Sequence, residues 1–207
     1  MAENKKLLLT SAGFLNKEVA NVFLKELNKE LSKSRVFMVA GARIEEEEYY
    51  IQESKQELID LGFNDIFVFN LDRQISIDEV KDYDAIYVCG GNTYYIMKKF
   101  RKTGLDKIVI KLVNQGIIYV GVSAGSVMAG PDIEIAGWGI GGDKNDVDLK
   151  DLTGFNLTNI SIFPHFEEDK HRQDVEEFKK KVNYPVIELT DNQAVFIKGE
   201  RYRVIGE

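Results

Sequence analysis

Residues 117–130 read IIYVGVSAGSVMAG. A run of β-branched and aromatic apolar residues enters a tight Gly121-Val122-Ser123-Ala124-Gly125 turn, and small residues then open a helix. This is the strand–turn–helix context that a G-x-S-x-G nucleophile elbow requires, with Ser123 at its apex. A sharp turn lifts the hydroxyl above the sheet edge. Gly121 and Gly125 leave no side chain where strand and helix crowd together. The N–H of Ala124 then points to where an acyl oxyanion forms. The plainer alternative is a tight βα turn with an incidental serine, and the buried strand in front of it favours the elbow.

Strand and helix signals alternate outward from this motif. Residues 6–10, 35–40, 65–70 and 84–89 read as short apolar strands. Residues 16–31 and 45–61 carry helical apolar spacing, with Gly62 stopping the second. A helix is expected through Phe100 and another over 106–115. The alternation predicts a mostly parallel sheet covered on both faces by helices, a three-layer α/β/α sandwich. Sites in such sheets gather at the carboxyl ends of strands. Residues 131–158 break the pattern as a long glycine-bearing, acidic loop with short strands, placed to cover the site. Residues 159–163 give a strand into Pro164-His165-Phe166, and 167–182 a charged helix. Strands at 186–189, 194–198 and 202–205 close the chain, the last two as an antiparallel hairpin turned at Gly199-Glu200. With no repeat or linker, residues 1–207 read as one domain.

Composition narrows the function. The chain has 207 residues and a net charge of −7, with no basic cluster beyond short runs. A nucleic-acid partner needs a positive surface and is not expected. No window approaches the ~20 apolar residues that cross a bilayer, and the apolar run near the N-terminus is too short for a signal core. A cytoplasmic protein without a membrane partner is expected, as a monomer or small homo-oligomer. The single cysteine, Cys89, excludes an intrachain disulfide or a cysteine-rich zinc site. It reads as a buried apolar residue rather than a nucleophile. The acidic loop lacks EF-hand spacing, so no metal and no cofactor are expected.

A serine hydroxyl needs a base, and the chain has two histidines. His165 follows a buried strand whose carboxyl end should lie beside Ser123. His171 sits in Glu167–Gln173, EEDKHRQ, and reads as a solvated helix-surface residue. The base in turn needs an acid: Asp191 at the end of a strand, or Asp146 in the long loop, between which composition does not choose. Gly90-Gly91-Asn92 after an apolar strand can turn backbone N–H groups inward beside that of Ala124.

Together, Cys89-Gly90-Gly91-Asn92-Thr93, Gly121-Val122-Ser123-Ala124-Gly125-Ser126 and Pro164-His165-Phe166 resemble the peptidase E family of serine peptidases, which includes aspartyl dipeptidases and related cyanophycin hydrolases. The resemblance runs from the first strand to about Lys198. It implies a fold related to class I glutamine amidotransferases, with serine replacing cysteine at the elbow. It further implies Ser123 as nucleophile, His165 as base, Asp191 as acid, and Gly91 and Ala124 as oxyanion donors. Asn92 and Arg172 become the substrate-binding candidates. Aspartyl dipeptidases carry a longer loop after the histidine; here Arg172 is the only arginine near that place. The expected activity is hydrolysis of small peptides, dipeptidase-like with an N-terminal Asp-X preference, through an acyl-enzyme. The alternatives are an esterase or amidase on non-peptide acyl groups, and a non-catalytic metabolite-binding protein on the same scaffold.

Overall fold

The computed structural model describes residues 5–27 and 29–206; the start of the segment inspected for a signal sequence and Asn28 of the expected first helix lie outside them. Five strands run parallel: β1 (Lys6–Thr10), β2 (Arg35–Val39), β3 (Asp65–Phe69), β4 (Ala85–Val88) and β5 (Ile118–Val122). Two more, β8 (Ala194–Lys198) and β9 (Arg201–Ile205), add an antiparallel hairpin beside β1. The sheet order is β3-β2-β4-β5-β1-β8-β9.

Alternation along each strand divides the core. Leu7 and Leu9 of β1 pack on one face with Met97 and Phe100 of α3 (Thr93–Thr103) and Val109 of α4 (Leu105–Asn114). Leu8 faces the other way, onto Phe23 of α1 (Lys17–Leu27) and Leu58 of α2 (Glu45–Asp60). This period of two is what a sheet buried on both sides demands. Each such leucine contributes about 1.5–3 kcal/mol relative to exposure. The expected three-layer arrangement is therefore present.

β6 (Ser161–Phe163) and β7 (Val186–Glu188) pair parallel with each other as a two-stranded sheet separate from the main one. One expectation is corrected. The long loop carries no strand, only a 3₁₀ turn at Glu134–Gly137 and a single bridge between Asp132 and Thr153. Its order comes from anchors to α3 instead. Lys98 Nζ donates to the Val147 carbonyl at 2.7 Å, Arg101 donates to the carbonyls of Asp151 and Thr153, and the Thr93 N–H donates to Asp143 Oδ2 at 2.7 Å. Among the described residues no helix is long and apolar enough to cross a membrane.

Candidate active site

Sheet order brings the pieces together. β5 lies between β4 and β1, so the turn after β5 (Ser123), the glycines after β4 (Gly90-Gly91) and Ser11 after β1 are neighbours at one edge. β8 begins opposite Thr10, which delivers the preceding turn, with Asp191, to the same edge. α5 (Ala124–Met128) starts directly after Ser123.

The elbow is held in an unusual backbone state. Ser123 has φ 49° and ψ −108°, which a non-glycine residue keeps only when its surroundings over-determine it. Those surroundings are visible. A Cβ on Gly121 would stand 2.6 Å from the Gly125 carbonyl, and one on Gly125 would overlap the Val88 carbonyl oxygen. Buried Ser126 donates its hydroxyl to the Thr10 and Gly121 carbonyls at 2.7 and 2.8 Å. Tyr119, fully buried, donates to the Gly125 carbonyl at 2.6 Å.

Ser123 Oγ lies 2.9 Å from His165 Nε2, and His165 Nδ1 lies 2.6 Å from Asp191 Oδ1. With the acid on Nδ1–H, Nε2 is free to accept the serine proton. His165 also has a positive φ, 55°, and its backbone N–H donates to Ser11 Oγ at 2.7 Å. Ser11 Oγ in turn donates to Asp191 Oδ1 at 3.1 Å. The small sheet registers the pair, since Leu189 N–H donates to the Phe163 carbonyl and Phe166 N–H to the Leu189 carbonyl, both at 2.9 Å. Asp146 stands elsewhere, exposed and 3.6 Å from Arg43 Nη1.

Gly91 (φ 130°) and Ala124 both line the space at Ser123, and no hydrogen bond to another described residue engages either N–H. That space has two chambers. The smaller, about 140 Å³, extends past Ala124 and Val127 to Trp138, Asp143 and His171. The larger, about 750 Å³, opens on the Ser11 and Asp191 side, with Glu53, Glu57 and Asp60 on its wall.

The two substrate-binding candidates are engaged otherwise. Asn92 caps α3: Oδ1 accepts the Tyr95 N–H at 3.0 Å and Nδ2 donates to the Lys144 carbonyl at 3.0 Å. Arg172 binds Glu168 and Glu188, stacks on Phe166 at 4.8 Å, and lines neither chamber. His171 departs from the solvated reading. It is buried, its Nδ1 accepts the Glu167 N–H at 2.9 Å, and its ring lines the smaller chamber. Its position was legible as spacing: His171, Val175 and Phe178 are the buried residues of α6 (Glu168–Lys179), at i, i+4 and i+7. Ser11 gave no comparable signal. Cys89 is buried, and burial pushes its thiol pKa well up, the state of an inert core thiol.

The family model described as peptidase family S51 matches residues 7–205. An uncharacterized peptidase of Listeria monocytogenes is 30% identical over 206 residues, covering 95% of this chain and 96% of that one. A protein named peptidase E from Streptomyces coelicolor is 26% identical over 136 residues, 60% of this chain and 53% of its own length. Among solved structures, a peptidase E-like protein from Listeria monocytogenes EGD-e superposes with a TM-score of 0.79 at 26% identity, covering 98% of both chains.

Proposed function

The chain belongs to peptidase family S51 and is a serine-type peptidase, and from that premise we propose that it hydrolyses small peptides through an acyl-enzyme on Ser123. The observation that carries this reading is the unbroken relay from Ser123 Oγ through His165 to Asp191, at 2.9 and 2.6 Å, on a strained elbow.

In this mechanism Ser123 Oγ attacks the scissile carbonyl while His165 Nε2 takes its proton. The carbonyl oxygen, now negative, is received by the N–H groups of Gly91 and Ala124; one such donor is worth about 3 kcal/mol in the transition state. The imidazolium, stabilised by Asp191, gives its proton to the leaving amine. Water then enters; His165 takes one of its protons as the water oxygen bonds to the acyl carbon, the bond to Ser123 Oγ breaks, and the imidazolium returns its proton to Ser123. Ser11 holds Asp191 and the His165 backbone during both halves. Dipeptides are the substrate class that the resemblance implies; the strict Asp-X preference of aspartyl dipeptidases is not carried over, because Arg172 is held by Glu168 and Glu188 and lines neither chamber.

The test is Ser123→Ala assayed against a dipeptide library beside the unaltered chain, with fluorophosphonate labelling and mapping of the modified peptide. Turnover that survives the substitution removes Ser123 from the mechanism. Parallel p-nitrophenyl ester assays separate peptide from ester chemistry.

A further inference from the structure

The smaller chamber carries an imidazole that the relay leaves unused. His171 is 8% exposed, with its ring centroid 5.3 Å from that of Phe163 and 6.2 Å from that of Phe166. Because Nδ1 accepts the Glu167 N–H, the proton of the neutral ring resides on Nε2. Nε2 has no acceptor among the described residues, yet it is not sealed away from the chamber its ring lines. A donor that opens on a chamber is available to a substrate acceptor, and a substrate group that covers it without accepting leaves it unpaired and desolvated. Across the same chamber stands Asp143, which takes the Thr93 N–H on Oδ2. No lysine or arginine lines this space.

Ser123, His165 and Gly91 border both chambers, so a peptide held at Ser123 can place one residue in each. The smaller chamber, walled by Ala124 and Val127 of α5, has room for one short side chain, whereas the larger opens on the Ser11 and Asp191 side.

We propose that the smaller chamber binds the side chain of the acyl residue and selects a short carboxamide, as in asparagine, over aspartate and leucine of similar shape. His171 Nε2–H donates to the side-chain carbonyl oxygen, and the Asp143 carboxylate accepts from the side-chain NH2. An aspartate side chain would bring a second carboxylate up to Asp143 in a chamber that no lysine or arginine lines, Arg43 acting on Asp143 only from outside that lining. A leucine would leave the His171 donor unpaired, and a site built to hydrogen-bond a group rejects the isostere that lacks it. Burial raises the Asp143 pKa, as expected of a carboxyl group kept from water. The proposal rests on the acyl-enzyme reading above.

The experiment measures kcat/KM for Asn-Ala, Asp-Ala and Leu-Ala with the unaltered chain and with His171→Phe, His171→Gln and Asp143→Asn. The expected result is an advantage of about tenfold or more for Asn-Ala in the unaltered chain. His171→Phe, which keeps a ring but no donor, should cut the Asn-to-Leu ratio by about tenfold. His171→Gln, which restores an N–H, should recover part of it, and Asp143→Asn should raise Asp-Ala relative to Asn-Ala. Preference for Asp-Ala or Leu-Ala in the unaltered chain overturns the assignment, as does an unchanged ratio in His171→Phe that circular dichroism shows to be folded. Should that variant not fold, the substrate ranking of the unaltered chain and the Asp143→Asn ratio decide alone. Failure of the underlying reading looks different: no peptide is cleaved and no fluorophosphonate labels Ser123. Labelling and turnover without an asparagine preference overturn only the chamber assignment.

Discussion

Ser11 donates its hydroxyl proton to Asp191 Oδ1 across 3.1 Å while its oxygen accepts the His165 backbone N–H at 2.7 Å. One small side chain at the end of β1 therefore ties the main sheet to the base and the acid together. The acid needs the help, because His165 and Asp191 side chains are 51% and 56% exposed and water competes for their contact.

Ser11→Ala is expected to lower kcat by about tenfold, the worth of one hydrogen bond to a charged group, with KM little changed. Ser11→Thr, which keeps the hydroxyl, should recover part of the loss. Steady-state kinetics on the best dipeptide measure it, and equal kcat in all three proteins would remove Ser11 from a positioning role.

Asp191→Asn should reduce kcat by about a hundredfold, less than the ~10⁴ known for a buried triad acid, since solvent partly substitutes for an exposed carboxylate. Asp146→Asn is the control and should leave kcat within about twofold, a surface change away from the relay. A large loss from Asp146→Asn with none from Asp191→Asn would reverse the assignment of the acid.

The elbow backbone makes an inverted stability order. At φ 49° and ψ −108° a Cβ is a burden, so Ser123→Gly should exceed Ser123→Ala in unfolding free energy by about 1–2 kcal/mol. On an ordinary helix or strand the alanine is the more stable of the two. Both proteins should be inactive, and urea melts of the two decide the point. Gly125→Ala, whose methyl would overlap the Val88 carbonyl oxygen, should cost about 3 kcal/mol or prevent folding.

Glu57 supplies a pH test. Burial raises its pKa, although its Oε2 accepts the Phe14 N–H at 3.2 Å. A carboxyl raised in the folded state binds more protons folded than unfolded, so it destabilises as pH rises from the ordinary carboxylate range through the raised value. The penalty is complete above that value and absent below the ordinary range. Glu57→Gln should therefore stabilise the protein at pH 7 and lose that advantage in acid. Thermal melts at pH 7 and at pH 4 measure it; the same gain at both values would point to packing rather than charge.

Much of this architecture was legible because its signals are local. Apolar runs such as AIYV over Ala85–Val88 and IYVGV over Ile118–Val122 mark buried strands, and glycine spacing marks the elbow. Pairing is another matter. A three-residue strand such as Ser161–Phe163 shows burial and nothing about its neighbour, so its union with Val186–Glu188 outside the main sheet was hidden. The acidic and basic run around His171 drew its reading toward solvent, although the i, i+4, i+7 spacing of His171, Val175 and Phe178 marks the buried face of the helix. Arg172, one residue along, points instead to Glu168 and Glu188. Asn92 shows how one residue type serves two purposes, since a polar residue after Gly-Gly is also what a helix N-terminus recruits.

The base and the acid descend from adjacent ends of one two-stranded sheet, whereas the nucleophile stands on another. The gap across which the first proton must jump therefore spans two sheets, while the gap behind it lies within one, and Ser11 at the end of β1 is the side chain that reaches across to both partners.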